Sequence, residues 1–433
     1  MTRTKDETLA IVAGCRTPFA KAGTDLQRAS AADLACHVFR EVLDGTGIDP
    51  RIVDEVVLGC AGPDSSEANV ARVAALRAGV PQDVPAVTVM RNCASGMEAL
   101  FTAEMRLRAK EGTVFLVGGA ESMSNFPLMF NRPATDWFAR LNRARTLPQR
   151  IKAFAGFRPG FLAPRIAVLE GLRDPISGLI MGQTAENVAR RFGITREQQD
   201  EFALESHHRA ASALERGRFA EEIVPIAAPP KFRKWIEHDN GIRAEQTREA
   251  LAKLRPVFDK RDGDVTVGNA CQLTDGAAAM LVMSQAKAEE LGLEILALVR
   301  GHARAALDPA YMGLGPVHAT PKALAAADVL FDDIDLFEIN EAFAGQVLGC
   351  ARAFESDEYC REVLGLEGAI GSIDPSCLNV NGGAIALGHP IAATGTRIVL
   401  TLAEELKERR QRYGVATLCI GGGQGQAVVL EAA

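Results

Sequence analysis

Cys93, His389 and Cys419 are the residues of this chain whose neighbours fit them for work in one reactive centre. Each lies beyond a short apolar run: Asn92-Cys93-Ala94-Ser95-Gly96 after Val84 to Met90, Gly388-His389-Pro390 in the loop after Cys377 to Val380, and Cys419-Ile420-Gly421-Gly422-Gly423 after Val415 to Leu418. Taken as strands, these runs end where parallel α/β sheets assemble ligand sites. A thiol nucleophile, an imidazole to ionise it, and a second thiol with glycine amides beside it are the groups that acyl transfer through a thioester requires.

Cys93 is expected at a strand-to-helix turn. There the positive end of the helix and a nearby imidazole both favour the thiolate. Gly96, one turn into that helix, leaves room for another backbone. His389 closes the loop Asn381-Gly-Gly-Ala-Ile-Ala-Leu-Gly-His-Pro, and Pro390 suits the first turn of a helix. Alone, His389 reads as a satisfied structural histidine. The glycines after Cys419 are not followed by Lys-Ser/Thr, so they form no phosphate loop, and their amides can face a developing oxyanion. Asn340-Glu341, directly after the run ending at Ile339, is either an acid–amide pair that holds a water or orients His389, or a helix N-cap. Cys15, Cys36, Cys60, Cys350, Cys360 and Cys377 read as small buried hydrophobes, and His207 and His208 as surface or packing residues.

Positioning these groups requires the two ends of the chain to meet, and both ends carry the same pattern. Helix Ala31 to Leu43 leads through Gly47-Ile-Asp-Pro to strand Glu55-Val-Val-Leu-Gly; Pro321 to Leu330 leads through Phe331-Asp-Asp-Ile to strand Asp335-Leu-Phe-Glu-Ile. Strand Val84 to Met90, the Cys93 turn, helix Ser95 to Ala109 and strand Val114 to Val117 are then matched by strand Cys377 to Val380, the His389 loop, helix Ile391 to Glu408 and strand Val415 to Leu418. Alternation of this kind implies parallel sheets covered by helices, in two duplicated halves. Between them, Asn131 to Arg173 holds nine Lys and Arg against Asp136 and Glu170, with Phe138, Leu141, Ile151, Phe154, Phe157, Phe161 and Leu162 interleaved. Such a stretch binds phosphates, a membrane surface or a partner, or packs as a helical excursion on its own protein. Thr195 and Gln198 form a capping box before helix Phe202 to Glu215, and Asp264 to Val267 is expected as the strand that returns the chain to the first unit.

The bulk numbers set limits. At 433 residues the chain exceeds one ordinary domain. Its 47% apolar and 24% charged content is that of a soluble globular protein, and a net charge of −7 argues against nonspecific nucleic-acid binding. The start, Met1-Thr-Arg-Thr-Lys-Asp-Glu, lacks a secretory apolar core, and no run of about 18 apolar residues exists to span a membrane. Nine scattered cysteines without CxxC read as reduced cytoplasmic thiols, with no disulfide framework and no metal site expected.

Taken together, Asn92-Cys-Ala-Ser-Gly-Met, Gly118-Gly-Ala-Glu-Ser-Met-Ser, Met181-Gly-Gln-Thr-Ala-Glu, Asn340-Glu-Ala-Phe-Ala, the loop ending in Gly388-His-Pro and Cys419-Ile-Gly-Gly-Gly resemble the thiolases, over essentially the whole chain. The resemblance implies an α/β thiolase fold: two βαβαβαββ halves in five layers with an inserted loop domain. It divides the chain into 1–124 and 256–290 for the first half, 125–255 for the inserted CoA-binding domain and 291–433 for the second half. It makes Cys93 the acylated nucleophile, His389 its base and Cys419 the acid/base for the α-proton. Asn340 holds a water that forms one oxyanion hole with His389, and the amides of Cys93 and Gly421 form the other. Met181, Ala270, Cys271, His318, Ala342 and Phe343 fall at the substrate. The implied activity is an acyl-CoA C-acyltransferase of the acetyl-CoA acetyltransferase or 3-ketoacyl-CoA thiolase kind. Its substrates are CoA and acyl-CoA, and it carries no cofactor.

The insertion, through Asn142-Arg-Ala-Arg-Thr-Leu-Pro-Gln-Arg and Lys253-Leu-Arg-Pro-Val-Phe-Asp, is most similar to thiolase β-subunits of trifunctional fatty-acid oxidation complexes. That likeness implies a dimer or dimer of dimers and, as alternatives for segment 131–173, a hydratase/dehydrogenase partner, peripheral membrane contact or self-packing. Two positions depart from the family: Cys271 stands where serine is common near the pantetheine, and His318 where proline is commoner. His318 then lines the acyl site or packs beneath it. A β-ketoacyl synthase would use two histidines, or His and Asn, without Cys419; a papain-like hydrolase would lack the duplication; a noncatalytic lipid-binding or scaffold homologue would not need all four catalytic side chains.

Overall fold

The computed structural model describes residues 4–433; Met1 to Arg3 lie outside the described residues. The first half runs β1 (Leu9–Arg16), α1 (Ala31–Thr46), β2 (Glu55–Gly59), α2 (Val70–Arg77), β3 (Ala86–Val89), α3 (Ser95–Arg108) and β4 (Val114–Ser122), and closes after a long insertion with β5 (Thr274–Ser284). Its strands lie in the order β3-β2-β4-β5-β1. β2 is parallel to β3 and β4, and β5 is antiparallel to β4 and β1.

The insertion carries α4 (Arg132–Arg143), α5 (Leu147–Ala155), α6 (Met181–Arg191) and α7 (Arg196–Glu215). Thr195 and Gln198 cap α7 reciprocally, as the sequence indicated. Past α7 the insertion is fastened to the core by buried charge. Arg16 of β1 bonds Glu222 at 2.9 Å and Asp239 at 2.7 and 2.8 Å, with all three side chains inaccessible to solvent or nearly so.

The second half repeats the first: β6 (Ala297–Ala306), α8 (Gly315–Ala327), β7 (Leu336–Ile339), α9 (Ala344–Glu355), α10 (Thr394–Arg409), β8 (Tyr413–Ile420) and β9 (Gln424–Ala432). The order β7-β8-β9-β6 has the pairing senses of β2-β4-β5-β1. The counterpart of β3, expected over Cys377 to Val380, shrinks to a single bridge between Leu378 and Phe337. Pro375 opens a 3₁₀ turn there, and Asn379 takes a left-handed φ of 47°. The Asn379 amide then accepts from Ile339 N at 2.8 Å and donates to its carbonyl at 2.9 Å, occupying the edge that a strand would have paired.

Successive strand residues point to opposite layers. Val56 and Leu58 pack under Leu34, Val38 and Phe39 of α1, while Val57 faces a central layer of Met97, Leu100 and Phe101 from α3 with Ile398, Val399 and Leu402 from α10. In β9, Val428 and Leu430 enter the same central layer, while Ala427 and Val429 pack outward with residues of α8 and α9. Helices, sheet, helices, sheet, helices: five layers follow, with α3 and α10 in the middle. Among the described residues the sheets pair edge to edge at Ala10–Leu298 and Ile11–Ala297.

Two further expectations change. Asp264 to Val267 is not a strand, because the Asp264 and Val265 amides donate to the Glu186 carboxylate; the chain regains the sheet at Thr274. Cys36 and Cys377 are half-buried, not buried. No helix among the described residues is long and apolar enough to cross a membrane.

The middle layer depends on two glycines. A Cβ on Gly96 would stand 2.6 Å from the Ala392 carbonyl oxygen, and one on Gly119 would overlap that oxygen outright. Gly119→Ala is therefore expected to lower the unfolding free energy by about 1–3 kcal/mol, the usual range for overpacking, and to reduce activity by more than the fraction unfolded explains. Urea unfolding with an unchanged midpoint would show the approach to be slack.

Candidate active site

Cys93 occupies a 3₁₀ turn, Asn92–Ala94, between β3 and α3. The turn is made by its polar neighbours. Asn92 takes a φ of 45°, which Asn tolerates better than most residues, and its Nδ2 donates to the Gly421 carbonyl at 2.8 Å. Ser95 Oγ donates to Asn92 O at 2.7 Å and accepts from Arg91 N at 2.8 Å. The turn of the first half is thereby bonded to the β8–β9 turn of the second. Gly422 and Gly423 reverse the chain there with φ of 94° and 79°. Burial pushes the Cys93 thiol above its ordinary value, opposed by the Gly421 amide and its own amide, which both face the sulfur.

His389 arrives from the second half and is gripped by the first. Its amide donates to Gln272 O at 3.2 Å and Thr274 Oγ1 at 3.1 Å. Three residues on, the Ala392 amide donates to Glu121 Oε2 at 3.2 Å, and the same buried carboxylate accepts from the Ala61 and Gly62 amides at 3.1 and 2.9 Å. The His389 ring meets Thr394 Oγ1 through Nδ1 at 2.6 Å, and that hydroxyl donates to Pro390 O at 3.2 Å. This network assigns the proton to Nδ1 and leaves Nε2 a free lone pair; Nε2 is buried without a partner. Burial, with Arg397 adding to it, pushes the ring down to about 4, so it rests neutral.

Cys419 is the last residue but one of β8, fully buried, and burial raises its thiol well above the ordinary range, with Cys93, Cys350 and Cys271 adding to the rise. Cys419 shares an apolar cluster with Ala270, Ala342 and Phe343, against which Met181 and Phe258 pack. Cys271 lies beside them: its amide donates to Ala342 O at 3.1 Å, Ala270 pairs with Phe343, and burial pushes its thiol up to about 12 with Cys93 as the next cause. Met181 Sδ stands over Gly421. Asn340 follows β7, its amide donating to Thr417 O at 3.0 Å. Both ends of its side-chain amide are buried without a partner. The next helix starts at Ala344 and is capped at Phe343, so Asn340 is no helix N-cap. A buried amide with both polar ends open is a seat for a water or a ligand oxygen.

Cys93, His389, Cys419, Asn340 and Gly421 thus fall on converging turns, with Met181, Ala270, Cys271, Ala342 and Phe343 around them. His318 does not join them. On α8, its Nε2 meets the Tyr359 hydroxyl at 2.9 Å in the outer layer, so it packs beneath. Glu341 is not a partner of His389 either: it accepts from Ser206 Oγ, Asn379 Nδ2 and Ile385 N. Sequence reasoning gave no role to Glu121, Thr394 or Thr274. Glu121 alone left a signal, a carboxylate at the end of the otherwise uncharged strand Val114–Ser122.

The chain matches two family profiles, "Thiolase, N-terminal domain" over residues 9–286 and "Thiolase, C-terminal domain" over residues 293–432. It is 41% identical to a 3-ketoacyl-CoA thiolase of Yersinia enterocolitica over 98% of this chain and 96% of that one. It is 42% identical to an acetyl-CoA acetyltransferase of Pseudomonas aeruginosa over 98% of each. Among solved structures it superposes on human mitochondrial 3-ketoacyl-CoA thiolase in complex with CoA with a TM-score of 0.85 at 35% identity, covering 98% of both chains. With the Bacillus anthracis acetyl-CoA acetyltransferase the TM-score is 0.86 at 39% identity, covering 98% of this chain and 99% of that one.

Burial is the largest influence on both groups, raising the Cys93 thiol and lowering the His389 ring, and His389 is not among the groups that shift the thiol. Thiol and imidazole rest uncharged. Alkylation of Cys93 by iodoacetamide, followed by peptide mass, should therefore rise about tenfold per pH unit through and beyond the ordinary thiol value of roughly 8.5. A rate already flat between roughly pH 5 and 8, as a preformed thiolate–imidazolium pair would give, would overturn this.

Proposed function

The chain belongs to the thiolase family, and from that premise we propose that it works as an acyl-CoA C-acyltransferase through an acyl-thioester on Cys93. The observations that carry the reading are the half-buried Cys93 thiol faced by the Gly421 and Cys93 amides, the buried Cys419 thiol on which it acts electrostatically, and the buried, unpartnered Nε2 of His389. In the cleavage direction, Nε2 of His389 takes the Cys93 proton as the sulfur attacks the 3-carbonyl of a 3-oxoacyl-CoA. The C2–C3 bond breaks, and the electron pair left on C2 takes the Cys419 proton, releasing acetyl-CoA. CoA then gives its thiol proton to the Cys419 thiolate and attacks the acyl group. Cys93 leaves and recovers its proton from His389. Read backwards, the same steps are a Claisen condensation.

Charge develops on oxygen at two places, and each has donors in reach. The amides of Cys93 and Gly421 serve one; a water on Asn340, with His389, serves the other. Prearranged donors in a dry site stabilise such charge without having to reorganise. Met181, Ala270, Cys271, Ala342 and Phe343 form the wall along the acyl and pantetheine groups. CoA thioesters are substrates, and the scheme calls for no resident cofactor. Thiols that must stay reduced suit the cytoplasm.

Incubation with acetyl-CoA should acetylate the peptide carrying Cys93. Cys419→Ala should still be acetylated there while exchange of the substrate α-hydrogens falls by about 10²–10⁴-fold, the usual worth of a positioned acid/base. Acylation on another cysteine sinks the first assignment, and a folded Cys419→Ala protein that cannot be acylated sinks the second.

The assembly proposed with this reading is a homodimer, or a dimer of dimers, through the core halves. Its support is the outer strand β3, whose free edge ends beside the exposed Met90. Sedimentation equilibrium should give at least twice the chain mass, and a monomer at micromolar concentration would refute it. A hydratase/dehydrogenase partner rests on the trifunctional resemblance alone and is checked by co-purification from the native cells.

A further inference from the structure

One carboxylate behind the Cys93 turn gathers the elements that the turn must meet. Glu98 lies in the first turns of α3, and its side chain is 12% exposed. Arg304 of β6 grips it bidentately, Nε to Oε2 at 2.9 Å and Nη2 to Oε1 at 2.8 Å, with the guanidinium 5.0 Å over the Phe101 ring of the same helix. Gln426 of β9 also donates to Oε2. Arg91, two residues before Cys93, donates to Oε2 through Nε at 2.7 Å. Burial works to raise this carboxyl, but the hydrogen bonds from Arg304 and Arg91 outweigh it and hold the group below its usual range, so it stays charged.

Arg91 does not stop at Glu98. Its Nη1 donates to Oε1 of Gln424 at 2.8 Å, on the residue that follows the Gly421–Gly423 turn. Asn92 donates to the Gly421 carbonyl at the other end of that turn, also at 2.8 Å. The two residues before the nucleophile thus hold both ends of the glycine turn whose Gly421 amide faces the Cys93 sulfur. Arg91 is a long, half-buried side chain, and the Glu98 carboxylate sets its direction. We infer that Glu98 is a positioning residue for acylation: by aiming Arg91 at Gln424 it fixes the Gly421 turn over Cys93, so that both oxyanion amides stand where charge forms. The inference rests on the proposed roles of Cys93 and of those amides.

Carboxylate–guanidinium bonds are directional as well as strong, which suits them to holding a reacting geometry. A misplacement of roughly 1 Å at a reacting centre can cost about 10²-fold in rate. A carboxylate that served to tie α3 to β6 would need Arg304 and Gln426 alone. It would not account for Arg91, whose second bond goes to the glycine turn. Both Glu98 oxygens accept from protein donors, so Glu98 acts through Arg91 and takes no part in proton transfer.

The test compares single-turnover acetylation of Cys93 by acetyl-CoA with its alkylation by iodoacetamide, in the full-length protein and in its E98Q and R91K variants. Acetylation passes through an oxyanion; alkylation does not. E98Q sets an amide against the guanidinium groups, and R91K keeps the charge but loses the fork that spans Glu98 and Gln424. Each is expected to lower the acetylation rate and the thiolysis kcat by about 10–100-fold, with KM for CoA and the alkylation rate little changed. The double variant should be no slower than the slower single one, because the two residues act as a unit. The inference is overturned by a folded E98Q or R91K protein acetylated at the unsubstituted rate, by losses that multiply in the double variant, or by a raised KM at unchanged kcat. Equal loss of acetylation and alkylation overturns it too, since that means a general loosening of the turn. Should E98Q not fold, R91K decides. If the unsubstituted protein is not acetylated at Cys93, the reading of the site itself falls, and this inference with it.

Discussion

One peptide group, that of Ala392, holds the two halves in the register on which the site depends. Its carbonyl oxygen fits the space left by Gly96 and Gly119, and its amide is held by Glu121. All three gripping residues belong to the first half; Ala392 belongs to the second. Gly96 lies three residues after Cys93, and Ala392 three after His389. The placement of Cys93 relative to His389 thus depends on a backbone contact that any side chain at Gly96 or Gly119 would push apart. Helices α3 and α10 can then lie side by side in the middle layer, burying their apolar faces between both sheets.

That close fit excludes water, and exclusion of water sets the electrostatics. Every titratable group of the centre is shifted toward its uncharged form: the thiols upward, the imidazole down to about 4, and Glu121, with no cation beside it among the described residues, up to about 7. A resting site without charges costs little to bury. The Gly421 and Cys93 amides that face the Cys93 sulfur are already fixed in place. Glu121 retains its position through three backbone amides, so its grip on Ala392 does not rely on an ion pair.

The parts of this arrangement legible in the sequence were those where chemistry demands a residue type. Thiol, imidazole and glycine amides at strand ends pointed to thioester chemistry, and the repeated order of elements pointed to duplication. What escaped reading was satisfied by side chains standing in for backbone. Asn379 bonds both the amide and the carbonyl of Ile339 and so replaces a strand at Cys377 to Val380. Glu186 captures the amides of Asp264 and Val265 and so removes another. An apolar run predicts a strand only if a neighbour's edge is free, and that is a tertiary fact. His318 shows the same limit. Its position in the chain suggested the acyl site, but α8 faces the outer layer, where Tyr359 holds it. Glu121 and Thr394 act on Ala392 and His389 through contacts that no local spacing announces.

The insertion is held in two physically different ways. Beyond α7 it is locked by buried ion pairs. Arg16 holds Glu222 and Asp239, and Arg218 bonds Glu405 at 3.1 Å, which also accepts from Asn381 Nδ2 at 2.6 Å at the head of the His389 loop. Breaking one partner of such a pair typically costs about 3–5 kcal/mol because it strands a buried charge, so this part cannot shift without cost to the loop. Among the described residues the α4–α5 hairpin has no such buried ion pairs, and its core is Trp137 with its ring neighbours. Force or contact applied there is borne by a unit that packs on itself. The hairpin is therefore packed independently of the ion pairs that hold the His389 loop.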